Sequence, residues 1–537
     1  MNDTNEHRDL DRCNSREKHM PDRTSQIFEN PIPASVVSKA SRKKASYIRE
    51  YGDDSKVPLA LSIRDIPVLR DLGVRELLVG PSQGSGPGVA GVAGTAGAGQ
   101  PPADLGSDPK ALVVGNIRMG FGHYRISMAI ASAARQRGLN PYWFDLHAFE
   151  ETTGGKIIEK LNGMYSMGSR WSQKYPLFNR LVWEPLNSEG FRKLSYNAAD
   201  QKVAELMAPP CALLPRDVPY IATHAWPAQA AVHAGLSHVV NVIPDNWPMA
   251  LHLSEGAIHC IQSPSAWQGY KTLRGMEGDA ILEPMPAGSL RYTGHYIDHE
   301  IVSSIEADTE ARLARIRDGK PLRVLLTVGG AGAQGELFRA IIESLLPAVK
   351  DRKVCLLVNV GDHRAVLDRL VAAIPGLAGA TVHSGNWAET RAFAEAGLSG
   401  DMDGVHLFHD EDIFAAVYAT NLLMRASDLL VTKPSELAYY PVPKLHLRRV
   451  GGHEAWGAIR SAELGDGSVE CSSLKETLAM LGLVLGLRAG SGRAGASTGN
   501  GRDTEALELM NRNILAAHRA GIYDGAYRAV DIALGRL

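Results

Sequence analysis

The amino-acid sequence predicts an α/β protein with two doubly wound, Rossmann-like domains that face each other across a cleft. Short apolar runs alternate with helix-like stretches over most of the chain, and the alternation falls into two blocks joined by a polar stretch. Strands that alternate with helices form parallel sheets covered by helices on both faces. Such sheets bind ligands beyond the carboxyl ends of their strands, so the loops that follow the strands are the candidate functional segments.

The apolar runs that we interpret as strands end in Gly-rich or polar turns. In the first block they are residues 111–115, 220–225, 238–244 and 259–264, and in the second block 323–330, 353–361 and 428–434. Helix-like stretches between them include residues 126–138, 335–351 and 363–376. Their length and apolar spacing distinguish them from the strands.

Composition shifts divide the chain into five expected segments. These are a disordered polar arm with a Gly/Ala/Pro-rich linker (1–108), a first domain (109–300), a second domain (301–480), a Gly-rich linker (481–503) and C-terminal helices (504–537). Within the first segment, residues 57–80 are periodic enough for one or two short ordered elements. Low hydrophobicity and dense mixed charge are typical of segments that do not fold alone.

Composition and charge exclude several classes of function. The chain has 537 residues and a formal net charge of -2, which offers no general attraction to nucleic acid, so no nucleic-acid partner is expected. Its five cysteines are scattered without a CxxC pair, which favours reduced, buried thiols over a disulfide framework. The N-terminus is too charged for a signal peptide, and no apolar run approaches the roughly 20 residues of a membrane span. We therefore expect a cytoplasmic protein, with peripheral contact on the inner face of a membrane left open.

The first candidate loop lies in GNIRMGFGHYRISMAIASAA, residues 115–134. Gly120 and Gly122 stand where a strand passes into a helix, and such a turn presents backbone N–H groups to an anion. The glycine spacing differs from GxGxxG, and no Walker lysine follows it. His123 could act as a general base. The alternative is a purely structural turn with a structural histidine.

Two further loops lie in the second block. TVGGAGAQGELFRA, residues 327–340, is again a strand, a Gly-rich turn and a helix. The segment 429–468 carries the polar residues Lys433, Ser435, Glu436, Arg448, Arg449, His453 and Glu454. These groups could neutralise a diphosphate and bind hydroxyls, although charged loop residues are often only solvated.

A fourth set of polar residues follows two strands of the first block. His224, Asp245 and His252 stand beside Trp226 and Trp247, a combination that suits a polar ring. Trp beside Pro is equally common in packing at the edge of a core. The three polar residues lack the tight spacing of metal ligands, so no metal site is expected.

Taken in order, these stretches resemble the two-domain GT-B glycosyltransferases, in particular the monogalactosyldiacylglycerol synthase and MurG-like group. GFGHYRISMAIASAA looks like the first-strand GxGH turn of that group, and IPDNWPMALHL like its strand that ends in Asp and Trp. LRYTGHYID resembles the end of the first domain. LTVGGAGAQG, DLLVTKPSE and GGHEAWGA are similar to the donor-domain GG, TKPG-type and GQE-type loops. The resemblance covers residues 109–480.

The resemblance implies a GT-B fold that binds a nucleotide sugar, most often UDP-linked, in the second domain and a hydroxyl acceptor in the first. It implies His123 as the catalytic base, with no metal and no further cofactor. The donor-binding positions it implies are Gly120, Gly122, Gly329, Gly330, Lys433, Pro434 and Ser435, with Glu436 and Glu454 competing for the sugar or ribose hydroxyls. The acceptor side would include His224, Asp245 and Trp247.

The resulting hypothesis is a metal-independent, inverting glycosyltransferase. Its alternatives are a nucleotide-sugar epimerase or hydrolase on the same fold, and an inactive protein that binds a nucleotide sugar. Residues 165–185 interleave aromatic rings with Arg and Lys, which suits a membrane interface and a lipid acceptor. A core helix with charges facing water is the other interpretation of that segment.

Overall fold

The computed structural model describes residues 23–82, 102–328, 334–487 and 502–537, which form two α/β domains. Each domain is built on one mainly parallel sheet with helices on both faces. This arrangement confirms the predicted class of two doubly wound domains. Gly329 and Gly330, which were expected to bind the donor, lie outside the described residues.

The first domain contains the N-terminal half of the described chain. Its strands are β1 (Gln26–Ile27), β2 (Asn30–Pro31), β3 (Leu59–Arg64), β4 (Arg75–Pro81), β5 (Ala111–Asn116), β6 (Asn140–Asp145), β7 (Tyr220–Ala222), β8 (Val239–Val242), β9 (Ile258–Ile261), β10 (Met276–Asp279) and β11 (Leu290–Tyr292). Its helices are α1 (Ala34–Tyr51), α2 (Pro67–Asp71), α3 (Phe121–Gln136), α4 (Thr153–Lys174), α5 (Pro176–Phe178), α6 (Leu194–Ala204), α7 (Ala208–Cys211), α8 (Ala225–His233) and α9 (Pro264–Lys271). Two π-helical turns, Asn179–Trp183 and Leu186–Gly190, follow α5.

The second domain and the C-terminal helices follow. Their strands are β12 (Leu322–Thr327), β13 (Val354–Asn359), β14 (Thr381–Ser384), β15 (Val405–His409), β16 (Leu429–Thr432), β17 (Lys444–His446) and β18 (Gly467–Glu470). The helices are α10 (His299–Val302), α11 (Ile305–Arg317), α12 (Gly335–Lys350), α13 (Arg364–Ala373), α14 (Trp387–Ser399), α15 (Ile413–Ala426), α16 (Ala455–Leu464), α17 (Leu474–Val484), α18 (Glu505–Arg519) and α19 (Gly525–Ala533).

Both sheets reverse their strand order once. The first sheet runs β11-β9-β8-β7-β5-β6-β4-β3, and only its β3–β4 pair is antiparallel among the described strands. The second runs β14-β15-β13-β12-β16-β17-β18. The order reverses between β5 and β7 in the first sheet and between β12 and β16 in the second. Crevices at such reversals are where open α/β sheets bind ligands.

The N-terminal segment differs from the polar arm that composition predicted. Residues 23–82 contribute α1, α2 and the edge hairpin β3–β4 to the first domain. Helix α1 buries Tyr47 against α4 and α6, and its charged residues pair with that surface: Lys44 lies 2.5 Å from Glu205. Average composition hides such an arrangement, because a helix needs only one apolar face to pack. The expected disordered arm is therefore corrected for residues 23–55, whereas the short ordered elements expected within 57–80 are present as β3, α2 and β4.

The C-terminal helices pack on different domains. Helix α18 packs on α11 of the second domain, whereas α19 crosses back to α3 of the first. The crossing is held by backbone contacts: the N–H of Gly525 donates to the His295 carbonyl at 2.9 Å. The Arg528 guanidinium also donates to the Thr293 carbonyl at 2.7 Å. The two C-terminal helices therefore form a second connection between the domains, in addition to the chain segment between β11 and β12.

Contacts between the domains surround the start of α3. Arg118 forms an ion pair of 2.6 Å with Asp362 of the second domain, and Phe121 packs on His363. Further along α3, the buried Arg125 donates to the Val417 carbonyl at 3.1 Å and to the side chain of Asn421. The described cysteines, Cys211, Cys260, Cys355 and Cys471, are free and buried, as expected.

Candidate functional site

A cavity of about 500 Å³ lies between the carboxyl ends of the two sheets. Its polar walls come from the loops after β5, β7, β8 and β16 and from residues 450–454. Its apolar walls come from α4, the π-helical turns, α6, α8 and the segment after β8. The cavity thus has a polar half between the domains and an apolar half within the first domain.

His123 stands in the first turn of α3, at the strand reversal of the first sheet. The preceding Gly120 has φ +86° and ψ -176°, a backbone conformation that is essentially restricted to glycine. His123 Nδ1 lies 2.6 Å from the carbonyl oxygen of Thr223, which follows β7. Because a carbonyl oxygen can only accept, Nδ1 carries the proton and Nε2 has the free lone pair.

The surroundings of His123 keep its ring neutral. Burial is the main cause that lowers the pKa of His123 below its usual range, and the nearby His252 acts in the same direction. The Thr223 carbonyl and the carboxylates of Asp245 and Glu436 oppose this effect. A neutral imidazole with a free Nε2 is the form that a general base requires.

His224, Asp245 and His252 form the wall beside His123. The ring of His224 lies edge-on to that of His123, with centroids 4.9 Å apart, and its Nδ1 accepts the N–H of Trp226 at 3.1 Å. Asp245 Oδ2 lies 3.1 Å from His252 Nε2. Burial would raise the pKa of Asp245, but the pairing with His252, together with His453 and His123, outweighs it and holds that pKa well below its usual range. Asp245 is therefore a permanent negative charge in the cavity.

The loop after β16 supplies the opposite wall. Lys433 pairs with Glu454, and although burial disfavours its charge, the Glu454 and Glu436 carboxylates raise the pKa of Lys433. Glu436 lies across the domain boundary from α3. Its Oε1 is 3.7 Å from Arg125 Nε, and a Cβ on Gly122 would come within 3.3 Å of its Oε2. A side chain at position 122 would press on the Glu436 carboxylate, so glycine there leaves room for this approach to the start of α3.

Glu436 and Glu454 differ in how free their oxygens are. Glu454 is buried, and besides pairing with Lys433 it accepts the backbone N–H groups of Val450 at 2.8 Å and Gly451 at 3.2 Å. Glu436 borders the cavity with its side chain 17% exposed. Of the two carboxylates, Glu436 is the one with more room for a ligand.

Helix α12 begins at the edge of the same cavity. Gln334 and Phe338 line the cavity, and the helix extends from Gly335 for 16 residues. The N-terminus of a helix of this length offers unpaired N–H groups and a partial positive charge. An anion in the polar half of the cavity would therefore meet this helix end as well as Lys433.

Most of the residues that the sequence predicted for the site border this cavity. Those that do are Gly120, Gly122, His123, His224, Asp245, Lys433, Ser435, Glu436 and Glu454. Pro434 and Trp247 are not among its lining residues. Trp247 instead packs on Trp456 of the second domain at 5.2 Å, with the Arg192 guanidinium 4.5 Å over its ring. Pro434 is buried, with its carbonyl against Gly457.

Sequence reasoning missed the apolar half of the cavity. Its walls are Leu161, Met164, Tyr165, Trp183, Leu186, Phe191, Tyr196, Trp226, Met249 and Leu251. The unusual aromatic content of residues 165–185 was the available signal, but it pointed to a surface rather than to a cavity. The cavity and the exposed surface share residues, because Met164 and Leu186 both line the cavity and are at least 40% exposed.

No group of three or more His, Cys, Asp or Glu side chains within the four described ranges is placed to hold a metal ion. None of the helices in those ranges combines the length and apolar character of a membrane span.

Two protein-family models match the chain, one in each half. Residues 26–272 match the model of a family described as a domain of unknown function, DUF6937. Residues 285–534 match a second such model, DUF6938. No curated protein sequence matches the chain.

The chain is similar to several solved structures. The UDP-GlcNAc 2-epimerase from Neisseria meningitidis bound to UDP-GlcNAc is 12% identical, with 79% of this chain and 100% of that chain covered and a TM-score of 0.40. The α,α-trehalose 6-phosphate synthase from Burkholderia multivorans is 13% identical, with 79% of this chain and 98% of that chain covered and a TM-score of 0.39. S. aureus MnaA with UDP is 11% identical, with 80% of this chain and 98% of that chain covered and a TM-score of 0.41.

Proposed function

We propose that the protein is a glycosyltransferase that moves a sugar from a nucleotide-sugar donor, UDP-linked, to the hydroxyl of an acceptor with an apolar body. The observation that carries this proposal is the position of His123. Its free Nε2 borders a cavity whose opposite wall holds Lys433, Ser435 and Glu436. A base on one side of a cleft and anion-binding groups on the other are what direct displacement of a nucleoside diphosphate requires.

In the proposed reaction, the acceptor hydroxyl lies between His123 and the donor sugar. Nε2 takes the hydroxyl proton while the oxygen attacks the anomeric carbon. The bond from that carbon to the β-phosphate oxygen breaks, and the diphosphate leaves with the electron pair. Attack from the face opposite the leaving group inverts the anomeric configuration. The carboxylates of Asp245 and Glu436 favour the imidazolium that forms.

The leaving diphosphate would be stabilised by three groups of this chain. Lys433 keeps its positive charge because the neighbouring carboxylates favour it. The N-terminus of α12 and the backbone N–H groups at Gly120 to Gly122 supply further positive ends. Ser435 and Glu436 are the proposed ligands of the sugar hydroxyls, and Glu454 holds Lys433 in place.

The apolar half of the cavity favours transfer over epimerisation or hydrolysis. An enzyme that acts on the donor alone needs no second, apolar compartment beside its base. This compartment continues to the outside as the 164–186 surface, whose exposed side chains are Met164, Tyr165, Met167, Trp171, Tyr175, Leu177, Leu181, Val182 and Leu186. Leu177 and Leu181 are each at least 70% exposed. We propose that this surface contacts a membrane and admits the acceptor from it.

The test of the proposed function is a calorimetric screen of UDP, GDP and dTDP and their sugars, followed by a transfer assay. We expect binding of at least one nucleotide sugar, and transfer only when an apolar alcohol such as a diacylglycerol is present. Conversion of the donor without acceptor would instead favour an epimerase or hydrolase. No response to any nucleotide would overturn the proposal.

Membrane contact is tested by flotation with vesicles of phosphatidylcholine and phosphatidylglycerol. The wild-type protein should float, and Leu177→Ser/Leu181→Ser should stay at the bottom of the gradient. A matched control is Leu509→Ser, which removes an exposed leucine on α18, far along the chain from this surface. Equal behaviour of all three proteins would contradict membrane contact through residues 164–186.

A further inference from the structure

The apolar half of the cavity contains a single carboxylate among its described lining residues. Asp200, on α6, is only 4% exposed and lines the cavity together with Tyr196 and Trp226. Its Oδ2 accepts the indole N–H of Trp226 at 3.0 Å. Within the described part of the chain, its Oδ1 has no hydrogen-bond partner. Asp200 is thus held in place by Trp226 on one side and open on the other.

A carboxylate in such surroundings lacks what usually compensates for burial. No salt bridge joins Asp200 to a Lys or Arg of the described chain, although Lys43 lines the same cavity and acts on the Asp200 carboxylate from a greater distance. Burial raises the pKa of Asp200 to about 6, against the opposing effects of the hydrogen bond from Trp226 and the charge of Lys43. An uncompensated buried carboxylate costs several kcal/mol, and a cation supplied by a ligand removes that cost.

The side chains around Asp200 also suit a cation. Tyr196 and Trp226 are aromatic, and aromatic rings attract ammonium groups, most strongly away from water. Leu161, Phe191 and Leu251 line the same apolar half and would contact a hydrocarbon body. A ligand that follows these walls has its polar groups at the two ends and an apolar part between them.

We propose that Asp200, Tyr196 and Trp226 form a subsite for a protonated amine, so that the acceptor is an apolar amino alcohol. Its hydroxyl lies at His123 and its ammonium group at Asp200. This inference rests on the proposed function for the role of the hydroxyl, but the amine subsite itself is a binding property. It can therefore be measured without donor and without transfer.

The experiment compares decylamine, decanol and decanoate, which share one chain and differ in their head group. Binding is measured by calorimetry at about pH 7.5 and below the concentration at which the probes form micelles. We expect decylamine to bind at least about tenfold more tightly than decanol, as one desolvated charge pair allows, and decanoate to bind most weakly. Decanol or decanoate binding as tightly as decylamine would overturn the subsite, and this ranking needs no variant.

The variant Asp200→Asn removes the charge and keeps an acceptor for the Trp226 N–H. It should weaken decylamine by about tenfold or more and leave decanol within about threefold of wild type. Asp217→Asn, an exposed carboxylate on the same domain, is the matched control and should change nothing. An unchanged preference for decylamine in Asp200→Asn would refute the role of Asp200.

The two proposals can fail separately. If the amine preference is observed but no nucleotide sugar binds, the subsite stands and the proposed transfer reaction falls. If sugar transfer to an apolar alcohol is observed without any preference for amines, the reaction stands and the subsite is wrong.

Discussion

The Nδ1 atom of His123 lies 2.6 Å from the backbone carbonyl oxygen of Thr223. His123 follows β5 and Thr223 follows β7, so the contact joins the two strands between which the order of the first sheet reverses. Hydrogen bonding to a carbonyl selects the tautomer in which Nε2 is unprotonated. The fold itself, before any substrate binds, thereby presents the base to the cavity.

Replacing His123 should remove transfer and spare donor binding. Loss of a general base costs about 10² to 10⁴ in rate, whereas the proposed nucleotide contacts come from the second domain and from backbone N–H groups at Gly120 to Gly122, and none of them uses the His123 side chain. We expect His123→Ala to lower kcat/KM by that factor with the Kd for UDP within about threefold of wild type. His238→Ala removes an exposed histidine of the same domain and should leave both quantities unchanged. A His123→Ala variant with near wild-type kcat/KM would show that His123 is not the base.

The pH dependence of kcat/KM should report the environment of His123. Since burial lowers its pKa, the base stays neutral down to and below the ordinary histidine value of about 6.5. Activity should therefore be level above that pH and fall only at lower pH. The Asp245 carboxylate raises the pKa of His123, so Asp245→Asn should move the acid limb further down. An acid limb with its midpoint above 6.5 would contradict this assignment.

Gly120 should tolerate no side chain. At φ +86° and ψ -176° an alanine is strained by about 1 to 3 kcal/mol, so Gly120→Ala should lower the Tm and displace the start of α3. Gly163→Ala provides the contrast, because Gly163 lies within α4 with open space around its Cβ position. Alanine there should raise stability by up to about 1 kcal/mol. Calorimetry of both variants measures the difference, and equal Tm values would refute the argument.

Acid should destabilise the protein through buried neutral histidines. His259 is fully buried, its Nε2 accepts the N–H of Ser254 at 2.9 Å, and burial lowers its pKa to about 4. Between that value and the unfolded value of about 6.5, the unfolded chain binds more protons, so stability falls as the pH falls through this window. The loss from His259 amounts to about 3 kcal/mol at pH 4. His259→Gln should be less stable at neutral pH and show a smaller fall in Tm from pH 7 to pH 5 than wild type. An identical fall would contradict the assignment.

Arg125 should hold the two domains in register. It is buried in α3 and meets Glu436, Asn421 and the Val417 carbonyl of the second domain. Arg125→Met removes these contacts and leaves Glu436 without its buried partner, which should cost about 2 to 4 kcal/mol, with a more open shape in small-angle X-ray scattering. Arg339→Met, in an exposed pair with Glu343, should cost less than about 1 kcal/mol. Equal losses in the two variants would show that Arg125 is not an interdomain contact of consequence.

The sequence predicted the two sheets, and most of its candidate site residues border the cavity between them. The alternation of strands and helices placed both sheets, and each Gly-rich or polar turn of the site follows a strand that the structure contains. Trp247, which the sequence assigned to the acceptor, packs on Trp456 of the other domain and does not line the cavity, so its role stays a prediction. Aromatic residues beside proline have no local feature that distinguishes a ligand contact from a domain contact.

The N-terminal segment shows a second limit of what composition can predict. Residues up to about 55 were expected to form a disordered or loosely held arm because their composition is polar and dense in charge. Their helix α1 packs on α4 and α6, which lie more than 100 residues further along the chain. Whether a weakly apolar helix is ordered depends on the partner surface, which composition cannot reveal.

The sequence by itself determined the two sheets, the strand ends that carry polar residues, and the Gly-rich turn at Gly120, because strand alternation and turn composition are local properties. Only the tertiary structure decided which nitrogen of His123 is free, that Glu436 reaches Gly122 and Arg125, and that Asp200 borders the same cavity. Those relations join elements distant in sequence and depend on how the domains pack. The sequence shows which side chains can do chemistry, whereas the packing of the domains decides which of them come into contact.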